Sequence, residues 1–108
     1  MNKISLTGIP ASPGVAEGEV KIVSTAQDIK KFADGNILVA EVTEPTLVIM
    51  MNKAAAIVTD RGGITSHAAV ISRELGVPCV TATKTATTDL KDGMKVRVDG
   101  STGQVTEL

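Results

Sequence analysis

The chain has 108 residues, enough for one compact domain with its own core and too few for a second of ordinary size. Its 11 basic and 12 acidic residues are spread along the chain with a net charge of −1, and Phe32 is its single aromatic. It therefore carries neither an electrostatic footprint for nucleic acid or anionic membrane nor a platform on which bases could stack. Cys79, the single cysteine, excludes an intramolecular disulfide and fits a reducing compartment. "MNKISLTGIP" has no secretory h-region, and the longest apolar run, Leu47 to Met51, is far too short to cross a bilayer. A cytoplasmic, soluble protein is expected.

In chain order, "GIPASPGVAEG" (8–18), with two prolines and three glycines, reads as a loop, followed by a short strand from Glu19 to Val23. "STAQDIKKFADG" predicts a helix with Ser24 or Thr25 as N-cap, Ile29 and Phe32 at helical spacing and Gly35 as the stop. The apolar runs Ile37 to Ala40 and Ala56 to Thr59 suit strands covered on both faces. Between them, Pro45 fits the first position of a helix that turns Leu47, Val48 and Met51 inward. After a helix that starts at His67, "PCVTA" reads as a strand and "TTDLKDG" as a turn or short helix. "MKVRVDGSTGQVTEL" reads as a hairpin, because Val96 and Val98 alternate with Arg97 and Asp99 and residues 100–103 close the loop. About six strands and three or four short helices predict a layered α/β domain with a C-terminal β-hairpin.

The chemistry concentrates in "TDRGGITSHAAVISRELGVP", which holds the only histidine. Thr65 or Ser66 can cap the helix, and Gly76 with Pro78 ends it, so His67 lies in the first turn. There, unpaired N–H groups and the positive end of the helix dipole welcome an anion and disfavour an imidazolium. One ring nitrogen keeps its lone pair, as a nucleophile requires. A phosphoryl group taken there would meet the N–H groups and the Thr65 and Ser66 hydroxyls, while Gly62 and Gly63 let a bulky donor approach. A zinc site is poorly supported, because His67 has no partner histidine and Cys79 is the only thiol. A Ser–His hydrolase is weak too: Ser66 and His67 are adjacent, and no nucleophile-elbow pattern surrounds them. Arg73 lies roughly 120° around the helix from His67, which suits a structural salt bridge or docking contact; Glu74 shares the face of His67 at about 10 Å along the axis, out of reach. Ala68, Ile71 and Leu75 read as core, and Cys79 as a buried small hydrophobe.

These residues resemble the phosphohistidine, or swivelling, domain of the phosphoenolpyruvate-utilising enzymes. The stretch "GGITSHAAVISR" matches that family's phosphorylation site position by position, "ASPGVAEGEV" its entry loop and first strand, and "LKDGMKVRVDGSTGQV" its closing hairpin. The resemblance implies a compact β/β/α domain in which His67 carries the phosphoryl group as a tele-phosphohistidine, supported by Gly62, Gly63, Thr65 and Ser66. It also implies that Thr65 is a regulatory phosphorylation target. The domain would bind no cofactor or metal itself. Magnesium would belong to partner sites, on nucleotide-binding and phosphoenolpyruvate- or pyruvate-binding domains or proteins, which 108 residues cannot hold. Met1, Asn2 and Lys3 read as a natural start, and hence as a free-standing carrier. A non-catalytic docking or regulatory module of the same fold is the alternative, one that would have no need of a nucleophile.

Overall fold

The structure, a computed structural model, describes residues 3–108; Met1 and Asn2, on which part of the natural-start reading rests, lie outside the described residues. The strands are β1 (Ser5–Thr7), β2 (Ile9–Ser12), β3 (Val15–Ile22), β4 (Ile37–Ala40), β5 (Ala56–Thr59), β6 (Cys79–Thr81), β7 (Lys95–Asp99) and β8 (Gln104–Glu107). The helices are α1 (Val48–Lys53), α2 (His67–Leu75) and α3 (Ala86–Asp89).

Every residue of β4, β5 and β6 is buried. β3 to β6 pair in parallel, so their side chains must be covered on both faces. Leu38, Ala40, Ile57 and Cys79 pack on one face with Met50 and Met51 of α1 and Ala68 and Ala69 of α2. Ile37, Val39, Val58 and Val80 point the other way, against Val96, Val98 and Val105 of the C-terminal hairpin and Ala86 and Leu90 around α3. The result is the expected β/β/α layering, with cores built from aliphatic side chains and methionine.

The strand order is β1-β8-β7-β3-β4-β5-β6-β2. β1 and β2 are consecutive in the chain yet lie at opposite ends of that order, so the sheet must curl until its edges meet. Gly8 marks the meeting point, its N–H donating to the Gly103 carbonyl at 2.8 Å. The same closure brings the hairpin loop onto the β2–β3 connection, where the Gly100 N–H donates to the Gly14 carbonyl at 2.7 Å. A Cβ on Gly100 would lie 1.8 Å from the Ser12 carbonyl oxygen.

Several local readings are corrected. Residues 8–18 are largely strand, and the strand expected from Glu19 begins at Val15. Pro10 is tolerated because β2 is an edge strand, where a missing N–H leaves no ladder bond unmade. Eight strands form rather than six, the added ones being secured by distant partners: β1 by β8 and β2 by β6. The segment after Ser24 is a six-residue 3₁₀ helix, Ala26–Lys31, and Phe32 rather than Gly35 ends it. Its capping box pairs Thr25 with Asp28, whose carboxyl is held below the usual range by the N–H groups of Thr25 and Ser24. Pro45–Leu47 is a 3₁₀ turn that leads into α1; Leu47 and Met51 are buried as expected and Val48 half-buried. Leu75, expected in the core, is 36% exposed, because α2 ends there and its last turn overhangs the layer. The hairpin forms as read.

Gly100→Ala should lower stability by about 1–3 kcal/mol or more, the range for forcing volume into a packed site, because the obstructing atom is backbone. Urea unfolding should show a lower midpoint; an unchanged midpoint would mean that the edge closure yields to the methyl group.

Candidate functional site

β4 and β5 deliver two loops, 41–44 and 60–66, to the same carboxyl edge of the parallel strands, the place where α/β sheets build their sites. The second loop becomes α2 through a local code. Ser66 is the N-cap, with φ −67° and ψ 163°, and its Oγ accepts from the Ala69 N–H at 3.4 Å while donating to the Gly63 carbonyl at 2.8 Å. Gly62 has φ +123°, a conformation that side-chain-bearing residues rarely adopt, and this sets up the turn into the cap. Gly76, in the left-handed conformation, closes the helix at its far end.

His67 is therefore the first residue of α2, half-buried, at the end where the helix N–H groups lack intrahelical acceptors. Its Nδ1 lies 2.8 Å from Oγ1 of Thr43, a residue only 7% exposed in the loop after β4. With Nδ1 engaged, Nε2 makes no hydrogen bond among the described residues. Of the residues singled out from the sequence, Gly62, Gly63, Thr65, Ser66 and His67 do form one unit. Thr65 is exposed, and its hydroxyl makes no hydrogen bond among the described residues. The Ser66 hydroxyl, by contrast, donates to the Gly63 carbonyl and so supports the helix start. A Cβ on Gly63 would meet nothing within 4 Å, which leaves the approach over the loop open.

Arg73 makes no ion pair among the described residues; it donates from Nη1 to the Ala11 carbonyl at 2.8 Å and staples α2 to β2. Glu74 is exposed. Cys79 is fully buried, its Sγ 3.9 Å from the Ala68 carbonyl, and burial pushes its thiol up from 9.0 to about 11 against smaller opposing effects of Ser72 and Arg73. Among the described residues, no three His, Cys, Asp or Glu side chains gather as a metal ion would need, and no helix is long and apolar enough to cross a membrane. A hollow of about 340 Å³ at the same sheet edge is lined by Ser24, Glu41, Glu44 and Thr87 among others, but not by His67.

Thr43 is the site residue that sequence reasoning missed. Its signal was a hydroxyl placed just beyond a wholly apolar strand, at an edge where neighbouring loops converge.

A β/β/α domain presents one imidazole on a capped helix start, and the chain belongs to the family of the PEP-utilising enzyme mobile domain, which matches residues 32–103. It is 56% identical over 105 residues to a protein of Archaeoglobus fulgidus named "Probable phosphoenolpyruvate synthase", an alignment covering 97% of this chain and 14% of that one. The phosphoenolpyruvate synthase of Pyrococcus furiosus is 53% identical over 103 residues, covering 95% of this chain and 13% of the relative. The chain thus spans about one-seventh of the length of these relatives. A solution structure of an Enzyme I protein superimposes with a TM-score of 0.61 at 32% identity, over 68% of this chain and 31% of the other.

The Cys79 thiol should stay unreactive toward Ellman's reagent at pH 8 in the folded protein and react fully in denaturant, since it is both protonated and out of contact with solvent. Rapid labelling of the native protein would show that the α2–β6 packing opens.

Proposed function

We propose that this chain is a phosphocarrier domain in which Nε2 of His67 accepts a phosphoryl group from a donor site on a partner domain or protein and passes it to a second acceptor, as in phosphoenolpyruvate synthesis. The observation that carries this reading is the contact of Nδ1 with the buried Thr43 hydroxyl. If Nδ1–H donates to Oγ1, the proton is kept off Nε2 and that lone pair faces outward. On transfer, the Nε2 lone pair forms the P–N bond while the donor P–O bond breaks, its electron pair leaving with the donor oxygen. Nδ1 keeps its proton, and Thr43 steadies the positive ring that results. The positive end of α2 favours the incoming negative charge.

Phosphoryl transfer depends mainly on positioning and charge neutralisation, so magnesium and cationic clamps can reside at the donor and acceptor sites, phosphoenolpyruvate or ATP being the donor classes. The location of His67 outside the hollow agrees with a nucleophile that is carried into other sites. Ile64 and Val70, exposed apolar residues three positions before and after His67, suit coverage by a partner that excludes water from the phosphoramidate. Thr65 is the regulatory position of this scheme. A dianion there would sit within a few residues of His67 at the same helix terminus and repel an incoming phosphoryl group.

Incubation with cell extract plus phosphoenolpyruvate or ATP should add acid-labile, alkali-stable phosphate, detected by intact mass, and His67→Ala should abolish it. Thr43→Ala should slow its incorporation by about tenfold to a hundredfold, as removal of an imidazole-orienting partner does elsewhere, and Thr43→Ser should restore it. An acid-stable adduct that survives His67→Ala would overturn the carrier reading. Thr65→Glu should depress the initial rate far more than Thr65→Ser, with circular dichroism confirming the fold of both; equal rates would show that charge at this position does not govern His67.

A further inference from the structure

Thr43 lies in the loop after β4 and His67 at the start of α2, 24 residues apart, so their 2.8 Å contact depends on whatever holds the two loops leading to them in register. Backbone bonds continue the β4–β5 pairing past the strand ends: the Asp60 N–H donates to the Ala40 carbonyl and the Arg61 N–H to the Glu41 carbonyl, both at 3.0 Å. Asp60 and Arg61 are thereby the root of the His67 loop, and Ala40 and Glu41 the root of the Thr43 loop. A second tie joins the same roots, the Arg61–Glu41 ion pair, but both side chains are largely exposed and such a pair holds weakly in water.

The opposite side of this root is held more firmly. Asp60 is 8% exposed, and its carboxylate accepts from the Thr87 N–H at 2.9 Å and from the Thr87 hydroxyl. Charge-assisted bonds shielded from solvent are the stronger kind. The loop between β6 and α3 adds three bonds: Thr83 donates its N–H and its hydroxyl to the Thr59 carbonyl at 3.1 and 3.0 Å, and the Lys84 N–H donates to the Asp60 carbonyl at 2.9 Å. Ala82 and Lys84 adopt φ of +58° and +75° there, left-handed conformations disfavoured for residues with side chains. Backbone of that kind persists where its surroundings over-determine it. Beyond Arg61 the loop is far less tied; among residues 62–65, Gly63 alone bonds, through its carbonyl, to Ser66.

We infer that Asp60 is a positioning residue: clamped by Thr87, it fixes the shared root of the two loops and so sets the Thr43–His67 contact and the tautomer of the imidazole. The effect on phosphate acceptance rests on the carrier reading, whereas the effect on the tautomer does not. Asp60→Ala removes the acceptor, Thr87→Val removes the hydroxyl donor at nearly constant volume, and Thr87→Ser keeps both donors.

Ring ¹⁵N chemical shifts of His67 in the unphosphorylated chain report the tautomer, and acid-labile incorporation reports the rate. In Asp60→Ala and Thr87→Val the fraction carrying the proton on Nδ1 should fall and the rate drop tenfold or more, with Thr87→Ser close to the parent. Thr43→Ala added to Asp60→Ala should lose nothing beyond Thr43→Ala alone, since both remove the same interaction. A folded Thr87→Val with the parent's tautomer distribution, or losses that multiply in the double variant, would overturn the inference. If Asp60→Ala does not fold, the Thr87 pair decides by the same two readouts. A parent chain that takes phosphate from no donor, but whose tautomer still shifts in Thr87→Val, would refute the carrier reading and leave the clamp standing.

Discussion

Strands β4, β5 and β6 have no polar face, and most of the molecule follows from that constraint. Parallel strands buried on both sides need a layer above and a layer below, and parallel neighbours can be joined only by crossovers. The crossovers through α1 and α2 supply one layer, and the C-terminal hairpin, folding back beside β3, supplies the other. Because these strands run the same way, their exits converge on one edge. That convergence brings a threonine from one exit against a histidine from the next.

The site so formed is spare. It has one imidazole, one buried hydroxyl partner and a helix terminus, and Arg61 at the root of its loop is engaged by Glu41. Such a site orients the imidazole but brings little positive charge of its own. Under the proposed carrier reading this is a division of labour, in which the domain supplies aim and the donor and acceptor sites supply cations. The loop before His67 has a firmly bonded root and a sparsely bonded crown.

Elements whose information is local were legible in the sequence. β4 and β5 announce themselves as unbroken apolar runs, α2 by its cap at Ser66 and stop at Gly76, and the hairpin by alternation around a glycine-bounded loop. These signals operate over a few residues, through side-chain periodicity and backbone capping. They also sufficed to single out His67, since a helix start is a local feature with its own electrostatics. The segment after Ser24 shows the limit of such signals, for its cap and acidic N3 residue were in place and yet only a 3₁₀ helix formed.

What tertiary structure decided is whatever depends on partners far along the chain. The residues from 5 to 18 carry three glycines and two prolines, which argue against strands, and they become largely strand because β6, β7 and β8 offer open edges to them. Arg73 found a backbone carbonyl 62 residues away in place of an acidic partner, a choice made by the docking of α2 on β2. The contact of Thr43 with His67 and the grip of Thr87 on Asp60 span 24 and 27 residues. The sequence by itself determined that the single imidazole would stand in the first turn of a helix capped just before it. The neighbour that orients its ring, and the clamp that holds that neighbour in place, were decided only when the strands lined up, because no spacing rule links side chains brought together across a sheet edge.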